Sequence, residues 1–261
     1  ALEHADAITV LRRGAVTLSW SGAEQAPRPA RADLLIAMLG EGRDVPSRPA
    51  VPAPVGAVVA TVGALELRAG EVVGIAGVEG NGQRELLRAI DTDAFIPEDR
   101  TTEGLIGDLT LTENLALRPV DADGGASKWL VDWPALGRRM GQLIDEFGIR
   151  ATGPEARAHA LSGGNQQKVV VARALEGRPR VIVAENPARG LDVRAAEEIF
   201  ARLRRAAADG AAVVFHSTDL DEVITWADRV LVMAAGELRI PPAGADRGTI
   251  GALMVAAGKT P

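Results

Sequence analysis

The chain has 261 residues, 47% hydrophobic and 25% charged, a balance typical of a soluble globular protein with a sizeable core. The net charge of -6 argues against nucleic acid as the main partner, because binding phosphate backbones requires Lys and Arg patches. The sequence has no Cys, which fits a reducing cytoplasm, and no apolar run of transmembrane length, so we expect no direct membrane insertion.

The first predicted element is a strand and glycine turn that occurs again near the end of the chain. Residues 5–14 (ADAITVLRRG) and 227–236 (ADRVLVMAAG) share an Ala-Asp start, an apolar run and a final glycine. The repeat indicates two related modules, and chance similarity of two hairpins is the alternative. Residues 33–40 are predicted to form a helix that closes the first module. The prolines that follow predict a semi-rigid linker.

A glycine-rich loop connects a predicted buried strand at residues 71–76 to a predicted helix at residues 84–90. This order is the context that a phosphate-binding loop requires, because backbone N–H groups must approach the phosphates. The full pattern continues with Lys and then Ser or Thr. Here Gln83 carries no charge, and Arg84 cannot ligate Mg²⁺ as a hydroxyl does. A tight structural turn is the alternative. The candidate nucleotide-binding residues are Gly77, Gly80, Asn81, Gly82, Gln83 and Arg84.

Residues 107–159 are predicted to be mainly helical. Thr110 and Glu113 have the spacing of a capping box, and Pro134 suits the first turn of a longer helix. The residues that give this helix an apolar stripe are Leu136, Met140, Leu143, Ile144 and Phe147. The stripe predicts a buried face. We expect Trp129 and Trp133 to pack, and a partner contact is the alternative.

The run LSGGNQQK at residues 161–168 precedes a predicted helix. Ser162 is a plausible N-cap, and Gly163 and Gly164 remove side chains that would keep an anion away. Open N–H groups at the positive end of a helix dipole can bind an anion. An ordinary turn and cap is the alternative for these residues taken alone.

Two further strands end in polar residues. Residues 181–184 form an apolar run followed by Glu185, Asn186 and Pro187, and the turn at residues 188–192 ends in Asp192. Residues 213–215 form a second apolar run, which leads into the segment 216–219 with the sequence His-Ser-Thr-Asp.

The order of these motifs resembles that of ATP-binding-cassette (ABC) proteins. PEDR at residues 97–100, together with LSGGNQQK, is similar to the second cassette in the tandem ATP-binding subunits of bacterial simple-sugar and nucleoside importers. The loop ending GNGQ is closer to the nucleoside type. The resemblance covers about residues 65–238. It implies an α/β P-loop NTPase of ABC type, with a mixed sheet core and a helical subdomain at about residues 107–163.

The same resemblance implies a domain organisation. Residues 1–45 would be the tail of a preceding cassette, 46–57 a Pro-rich linker, 58–245 the nucleotide-binding domain and 246–261 a C-terminal helix or tail. Within the domain, residues 90–95 replace a longer strand-rich stretch of the family, so that residues are either deleted or missing. No aromatic residue lies between Trp20 and Gly82 to stack on adenine.

The resemblance also implies roles for single residues. Glu185 holds the Mg²⁺-side position, and Glu98 stands where other cassettes have a glutamine and could bind water or Mg²⁺. Asn186 stands at the position of the catalytic Glu, and losing such a base costs on the order of 10²–10⁴ in rate. Thr218 stands at the position of the switch His. His216 would lie on the same strand face as Thr218 and is a possible substitute, with a packed histidine as the alternative.

Several hydrolytic positions of one site are therefore substituted while the signature motif is kept. We expect an asymmetric arrangement, in which the signature completes the ATP site of a second cassette in the same polypeptide. The residues assigned to that site are Ser162, Gly163, Gly164, Gln166 and Asp192. The isolated chain is expected to be weakly active or inactive.

The expected cofactors are ATP and Mg²⁺, and the expected partners are the second cassette and transmembrane permease subunits. The protein would lie in the cytoplasm, at the inner face of the plasma membrane through those subunits. One alternative is a soluble ABC-type ATPase that acts on ribosomes or nucleic acid, which predicts a basic linker or coiled-coil insertion. Another is a nonhydrolytic regulatory module, which predicts that changing Ser162 leaves the ATPase rate unchanged.

Overall fold

The computed structural model describes residues 5–12, 15–22, 27–30, 33–34, 37, 55–117 and 131–255. The chain divides into two compact units, residues 1–47 and 48–261. In the first unit, β1 (Ala7–Arg12) pairs antiparallel with β2 (Ala15–Ser21). Most of the predicted closing helix at residues 33–40 and most of the predicted linker lie outside the described residues, as does Trp129.

The second unit has eight described strands and seven described α-helices. The strands are β3 (Val58–Val62), β4 (Leu65–Arg68), β5 (Val72–Gly77), β6 (Ala94–Ile96), β7 (Val181–Glu185), β8 (Ala212–His216), β9 (Arg229–Ala234) and β10 (Glu237–Arg239). The helices are α1 (Gln83–Arg88), α2 (Leu111–Ala116), α3 (Trp133–Glu146), α4 (Gly163–Leu175), α5 (Val193–Ala208), α6 (Leu220–Trp226) and α7 (Arg247–Val255). A π-helical turn (Arg100–Gly104) and a 3-10 turn (Ala158–Ala160) complete the set.

A six-stranded sheet in the order β10-β9-β5-β8-β7-β6 forms the centre of this unit. The strands from β9 to β6 pair parallel, and β10 pairs antiparallel with β9. The mixed sheet with its helices confirms the predicted fold class. Because the carboxyl ends of β5, β7 and β8 lie at the same edge, the glycine-rich loop, Glu185 and the segment after His216 come together there.

The sheet is buried on both faces, which explains the nearly continuous apolar runs in its strands. On one face, the β3–β4 hairpin and α1 contribute Leu65, Leu67 and Leu87 to the core. On the other face, Phe200 of α5 packs edge-on against Phe215 with 5.1 Å between ring centroids, and it stacks on Trp226 at 5.5 Å.

The short stretch at residues 90–95 forms the edge of the sheet. Strand β6 pairs with β7, and the Thr92 hydroxyl donates to the carbonyl of Val181 at 2.9 Å. The Asp93 carboxylate accepts the backbone N–H groups of Arg180 and Val181 at 2.8 and 3.1 Å. These contacts attach β6 to β7 as the last strand of the sheet.

The helical region follows its predicted signals. The capping box between Thr110 and Glu113 is present, and Pro134 lies in the first turn of α3, which buries Met140 and Leu143. The predicted packing of Trp133 is wrong, since this side chain is 50% exposed. Of the helices that the structure describes, none combines the length and apolar composition needed to span a bilayer.

Both copies of the sequence repeat form antiparallel hairpins. The first copy contributes β1 and its pairing with β2, and the second contributes β9 and its pairing with β10. In the second hairpin, Ala235 and Gly236 have φ values of 51° and 79°. Positive φ at both central residues is the geometry of a tight turn that matches strand twist, so a glycine suits its second position.

Candidate functional site

The glycine-rich loop connects β5 to α1 at the carboxyl edge of the sheet. Gly80 and Gly82 have φ values of 88° and 102°, which favour glycine over residues with a Cβ. Gly82 directly precedes α1, whose first backbone N–H groups have no acceptor within the helix. The loop therefore has the backbone form expected for phosphate binding.

The Gln83 side chain is buried inside this loop. Its Nε2 donates to the carbonyl of Val78 at 2.8 Å, and the same carbonyl accepts the N–H of Asn81 at 3.1 Å. A Cβ on Gly77 would overlap the Gln83 amide and lie 2.9 Å from the carbonyl oxygen of Met233. Gln83 thus ties the loop together at the position where the phosphate-binding pattern has Lys, and it supplies no positive charge.

Asn81 fixes the loop to the β9–β10 turn and to α7. Its carbonyl accepts the N–H of Gly236 at 3.0 Å, and its Nδ2 donates to the carbonyl of Met254 at 3.2 Å. Asn81, which the sequence predicts to bind nucleotide, therefore holds the β9–β10 turn through its backbone carbonyl and α7 through its side chain.

Glu185 at the end of β7 is bound by arginine on both carboxylate oxygens. Arg88 donates from Nε and Nη2 at 2.8 and 3.0 Å, and Arg84 Nε lies 3.9 Å from Oε2. Both arginines also contact Glu103, Arg84 at 2.6 Å. Sequence reasoning missed Arg88 and Glu103. The spacing of Arg84 and Arg88 is the one available signal, since residues four apart share a helix face.

Asn186 and Thr218, predicted at the catalytic and switch positions, are brought into direct contact. Asn186 has φ 40°, a left-handed conformation that Asn tolerates better than most residues. Its Oδ1 accepts the N–H of Thr218 at 2.8 Å, and its N–H donates to the carbonyl of His216 at 2.8 Å. The Asn186 side chain thus connects the ends of β7 and β8.

His216 is a packed strand histidine. Its residue surface is 7% exposed, and Nδ1 lies 3.0 Å from the carbonyl oxygen of Ile75. Burial lowers the pKa of His216 below its ordinary value and outweighs the raising effects of the Ile75 carbonyl and of Glu185 and Glu79. This environment favours the packed histidine over the catalytic substitute that the sequence left open.

The signature motif lies at the start of α4. Ser162 is the N-cap residue and is exposed, but its hydroxyl makes no capping bond and instead accepts from Asn165 Nδ2 at 2.9 Å. The predicted N-cap position of Ser162 is therefore confirmed, although its hydroxyl bonds to the Asn165 amide and not to a backbone N–H of the first turn. Gln166 Nε2 donates to the carbonyl of Ala158 at 3.1 Å, which anchors α4 to the 3-10 turn. A Cβ added to Gly164 would lie 3.8 Å from the side chain of Leu191.

The PEDR segment touches both the signature and the turn that ends at Asp192. The Arg100 guanidinium lies against Gly163, and its Nη1 donates to the carbonyl of Arg189 at 3.3 Å. Glu98 forms an ion pair with Arg189. Asp192 is exposed and caps α5 by accepting the N–H of Ala195 at 2.9 Å. These residues form one connected surface.

Solved structures with this fold are ABC proteins. The chain matches a dimeric, post-hydrolysis ATP-binding cassette bound to ADP and Pi, with a TM-score of 0.52 and 22% identity over 71% of this chain and 97% of that one. It also matches cbiO1 of Clostridium perfringens, part of an ABC transporter complex, with a TM-score of 0.54 and 20% identity over 67% of this chain and 78% of that one. The protein folds as an ABC cassette. Identities this low establish the fold alone.

Curated relatives are import ATP-binding proteins. The cassette is 34% identical over 221 residues to the nucleoside import ATP-binding protein NupA of Lactococcus lactis subsp. cremoris, covering 73% of this chain and 44% of that protein. It is 39% identical over 203 residues to the ribose import ATP-binding protein RbsA 1 of Rhizobium johnstonii, covering 66% of this chain and 39% of that protein. A glucose import ATP-binding protein, TsgD13 of Haloferax volcanii, is 36% identical over 226 residues, which cover 74% of this chain and 41% of that protein.

The cassette spans less than half the length of the curated relatives it matches. No protein-family model matches the chain. The identities do not separate nucleoside from sugar importers, so the preference for the nucleoside type is not supported by them.

The residues at the metal-side positions of this cassette do not fit Mg²⁺. Glu185 has both oxygens on Arg88, and Glu98 is paired with Arg189. Across the described ranges, no group of three or more His, Asp or Glu side chains is arranged to hold a metal ion. A divalent cation would have to displace a guanidinium from a buried carboxylate.

Proposed function

We propose that the chain is the second, C-terminal cassette of the tandem ATP-binding subunit of a bacterial importer for simple sugars or nucleosides. In this proposal its signature residues complete the ATP site of the first cassette, and its own site does not hydrolyse ATP. The proposal draws on the names of the relatives, all of which are import ATP-binding proteins.

The length of the match and the repeated hairpin support the tandem arrangement. The cassette covers about two fifths of each relative, which leaves room in such a protein for a second cassette of similar size. The β1–β2 hairpin carries the same Ala-Asp-strand sequence as the final β9–β10 hairpin of the cassette. Residues 1–45 are then the tail of a preceding cassette.

The contrast between two groups of polar residues carries the functional proposal. In the local site, the Gln83 amide, the Glu185 carboxylate and the Asn186 amide oxygen all have protein partners at 2.8 Å. At the signature, Ser162 is exposed and the first N–H groups of α4 have no acceptor within the helix. The local site lacks a base and a free metal ligand, whereas the signature keeps what a phosphate needs.

The proposed cycle uses the signature in trans. The N–H groups at the start of α4 and the positive end of its dipole would face the terminal phosphate of ATP held by the first cassette. Mg²⁺, bound with that ATP, would neutralise phosphate charge in the partner site. Asp192, exposed at the start of α5, would lie at the seam between the cassettes. Closing and reopening of the pair would drive permease subunits at the inner face of the membrane.

The helical subdomain is the part of the cassette that we propose to contact such a permease. Its exposed apolar side chains are Ile106, Leu117, Val131 and Trp133, each 48–52% exposed. These four side chains are the candidate permease contacts of this proposal.

The decisive experiment is a substitution at Ser162 in the full-length subunit assembled with its permease. Ser162→Glu places a carboxylate where a phosphate should approach, and we expect the ATPase rate to fall by roughly 10²-fold. Ser19→Glu is the matched control, because Ser19 is an exposed strand residue of the first unit. An unchanged rate in Ser162→Glu would eliminate the proposal and favour a regulatory module that uses the fold for docking alone.

A further inference from the structure

Arg88 binds the carboxylate of Glu185, which stands at the position where a nucleotide site of this fold binds its metal ion. The Glu185 side chain is 3% exposed, and both of its oxygens accept from the Arg88 guanidinium, at 2.8 and 3.0 Å. Two parallel N–H···O bonds between guanidinium and carboxylate are among the strongest polar contacts in proteins. The Arg88 guanidinium also lies over the ring of Phe95, with 5.4 Å from Cζ to the ring centroid.

A buried carboxylate needs a compensating cation, because its charge is costly to remove from water. In an active nucleotide site, the divalent ion supplies that charge when it is bound. Here the protein supplies it permanently. Hydrogen bonds with Glu185, and in smaller measure with Glu103, raise the pKa of Arg88 above its ordinary value. The guanidinium is therefore charged at every physiological pH.

A second carboxylate and a second arginine complete the cluster. Glu103, in the π-helical turn, contacts both Arg88 and Arg84. Arg84 stands where a phosphate-binding loop has its Mg²⁺-ligating hydroxyl, and its Nε lies 3.9 Å from Glu185. The charges of the two carboxylates are thus balanced by two guanidinium groups.

We propose that Arg88 is the built-in counter-cation of Glu185 in place of a divalent metal, so that the local site of this cassette is metal-independent. The inference deepens the proposed function and rests on it, since that function identifies Glu185 as the metal-side carboxylate.

The experiment measures thermal unfolding of the chain with Mn²⁺ as the probe. Wild-type protein should show no change in Tm between EDTA and about 5 mM Mn²⁺, because the guanidinium holds both carboxylate oxygens. Arg88→Met keeps the stem length but leaves Glu185 uncompensated, and we expect its Tm in EDTA to fall by roughly 5–10 °C. Mn²⁺ should restore roughly half of this loss, since Glu185 and Glu103 then offer carboxylate ligands.

Two controls assign the metal response. The double variant Arg88→Met, Glu185→Gln should regain stability in EDTA and lose the response to Mn²⁺. Arg180→Met removes an exposed arginine with a long 3.9 Å ion pair to Asp93 and should change Tm by about 1 °C or less, with or without Mn²⁺.

Two outcomes would overturn the inference. One is a rise in the Tm of wild-type protein with Mn²⁺ that Glu185→Gln abolishes, a result that stands even if Arg88→Met does not fold. The other is a folded Arg88→Met that is as stable as wild type and insensitive to Mn²⁺. Neither depends on hydrolysis, so the ATPase test of Ser162 separates failure of this inference from failure of the proposed function.

Discussion

The local nucleotide site and the signature face are built from the same residue types but use them in opposite ways. In the local site, Gln83, Glu185 and Asn186 direct their polar atoms to protein partners. On the signature face, Ser162 is exposed, and its neighbours Asn165 and Gln166 hold the surrounding backbone in place. The polar atoms of the local site are therefore bonded within the protein, whereas Ser162 on the signature face is exposed and its surroundings are held by Asn165 and Gln166.

This difference shows how substitutions at a degenerate site can stabilise the fold. Each replaced residue now makes a contact that holds two elements together: Gln83 within the loop, Arg84 to the π-helical turn, and Asn186 between β7 and β8. On the signature face, the exposed Ser162 hydroxyl contacts Asn165 of the same helix. If the comparison is right, substitutions in the local site should cost stability, and substitutions on the signature face should cost catalysis in the full subunit.

The largest expected effect on stability is that of Gly77→Ala. Its Cβ would overlap the Gln83 amide and lie 2.9 Å from the Met233 carbonyl oxygen, so we expect about 1–3 kcal/mol of destabilisation in urea unfolding. Gln83→Ala should relieve part of this cost, which makes the double variant less unstable than the sum of the single ones. Additive effects would show that Gln83 does not fill the loop.

Gly163→Ala gives the contrasting result on the signature face. There the added Cβ meets the guanidinium of Arg100, which is the end of a flexible side chain and can move. We expect little loss of stability and a clear loss of ATPase rate in the full subunit. Gly251→Ala, in an open helical position of α7, is the matched control and should be neutral or slightly stabilising.

Asn186 gives a smaller but more detailed test. Asn186→Ala should lose about 2 kcal/mol, because Ala is strained at φ 40° and the N–H of Thr218 loses its acceptor. Asn186→Gly tolerates the positive φ but removes the oxygen that accepts the N–H of Thr218. Asn186→Asp tolerates the positive φ and keeps an acceptor oxygen. Urea unfolding should therefore rank the losses Ala, then Gly, then Asp. Equal stability of all three would mean that the contact between β7 and β8 contributes nothing.

Much of the fold could be predicted from local signals. The capping box at Thr110, the apolar stripe of α3 and the strand–loop–helix around Gly77 to Gly82 depend on residues near in sequence, and the structure has each of them. The three-residue strand β6 was not foreseen, because its position is set by Thr92 and Asp93 bonding to β7, far along the chain.

The candidate site was less predictable for the same reason. The substituted positions could be located in the sequence, but what the new side chains contact could not. The pair of Arg88 and Glu185 joins residues 97 positions apart. Ser162 is the N-cap residue as predicted, but the partner of its hydroxyl, Asn165 one turn later, could not be inferred from the motif. Motif reasoning gives the position of a residue, whereas its partners depend on the tertiary fold.

The smallest expected effect comes from His216 and concerns pH. Burial lowers its folded-state pKa below the ordinary 6.5, so the unfolded chain binds the proton more readily. The stability that the neutral ring contributes is complete above about pH 6.5 and is lost as the pH falls from there toward the folded-state pKa. The slope is at most about 1.4 kcal/mol per pH unit.

His216→Gln should remove this acid-side loss while keeping a side-chain donor for the Ile75 carbonyl. Urea unfolding at pH 7.5 and 5.5 would then show a smaller drop in the free energy of unfolding than in wild-type protein. His159→Gln is the matched control, because it removes a histidine that is exposed. A His216 variant with the wild-type profile would mean that the ring titrates as freely as in the unfolded chain. That result would contradict the role of His216 as a packed residue and would again allow it as a substitute base. The measurement therefore tests whether the His216 ring, like Gln83, Glu185 and Asn186, is held within the protein.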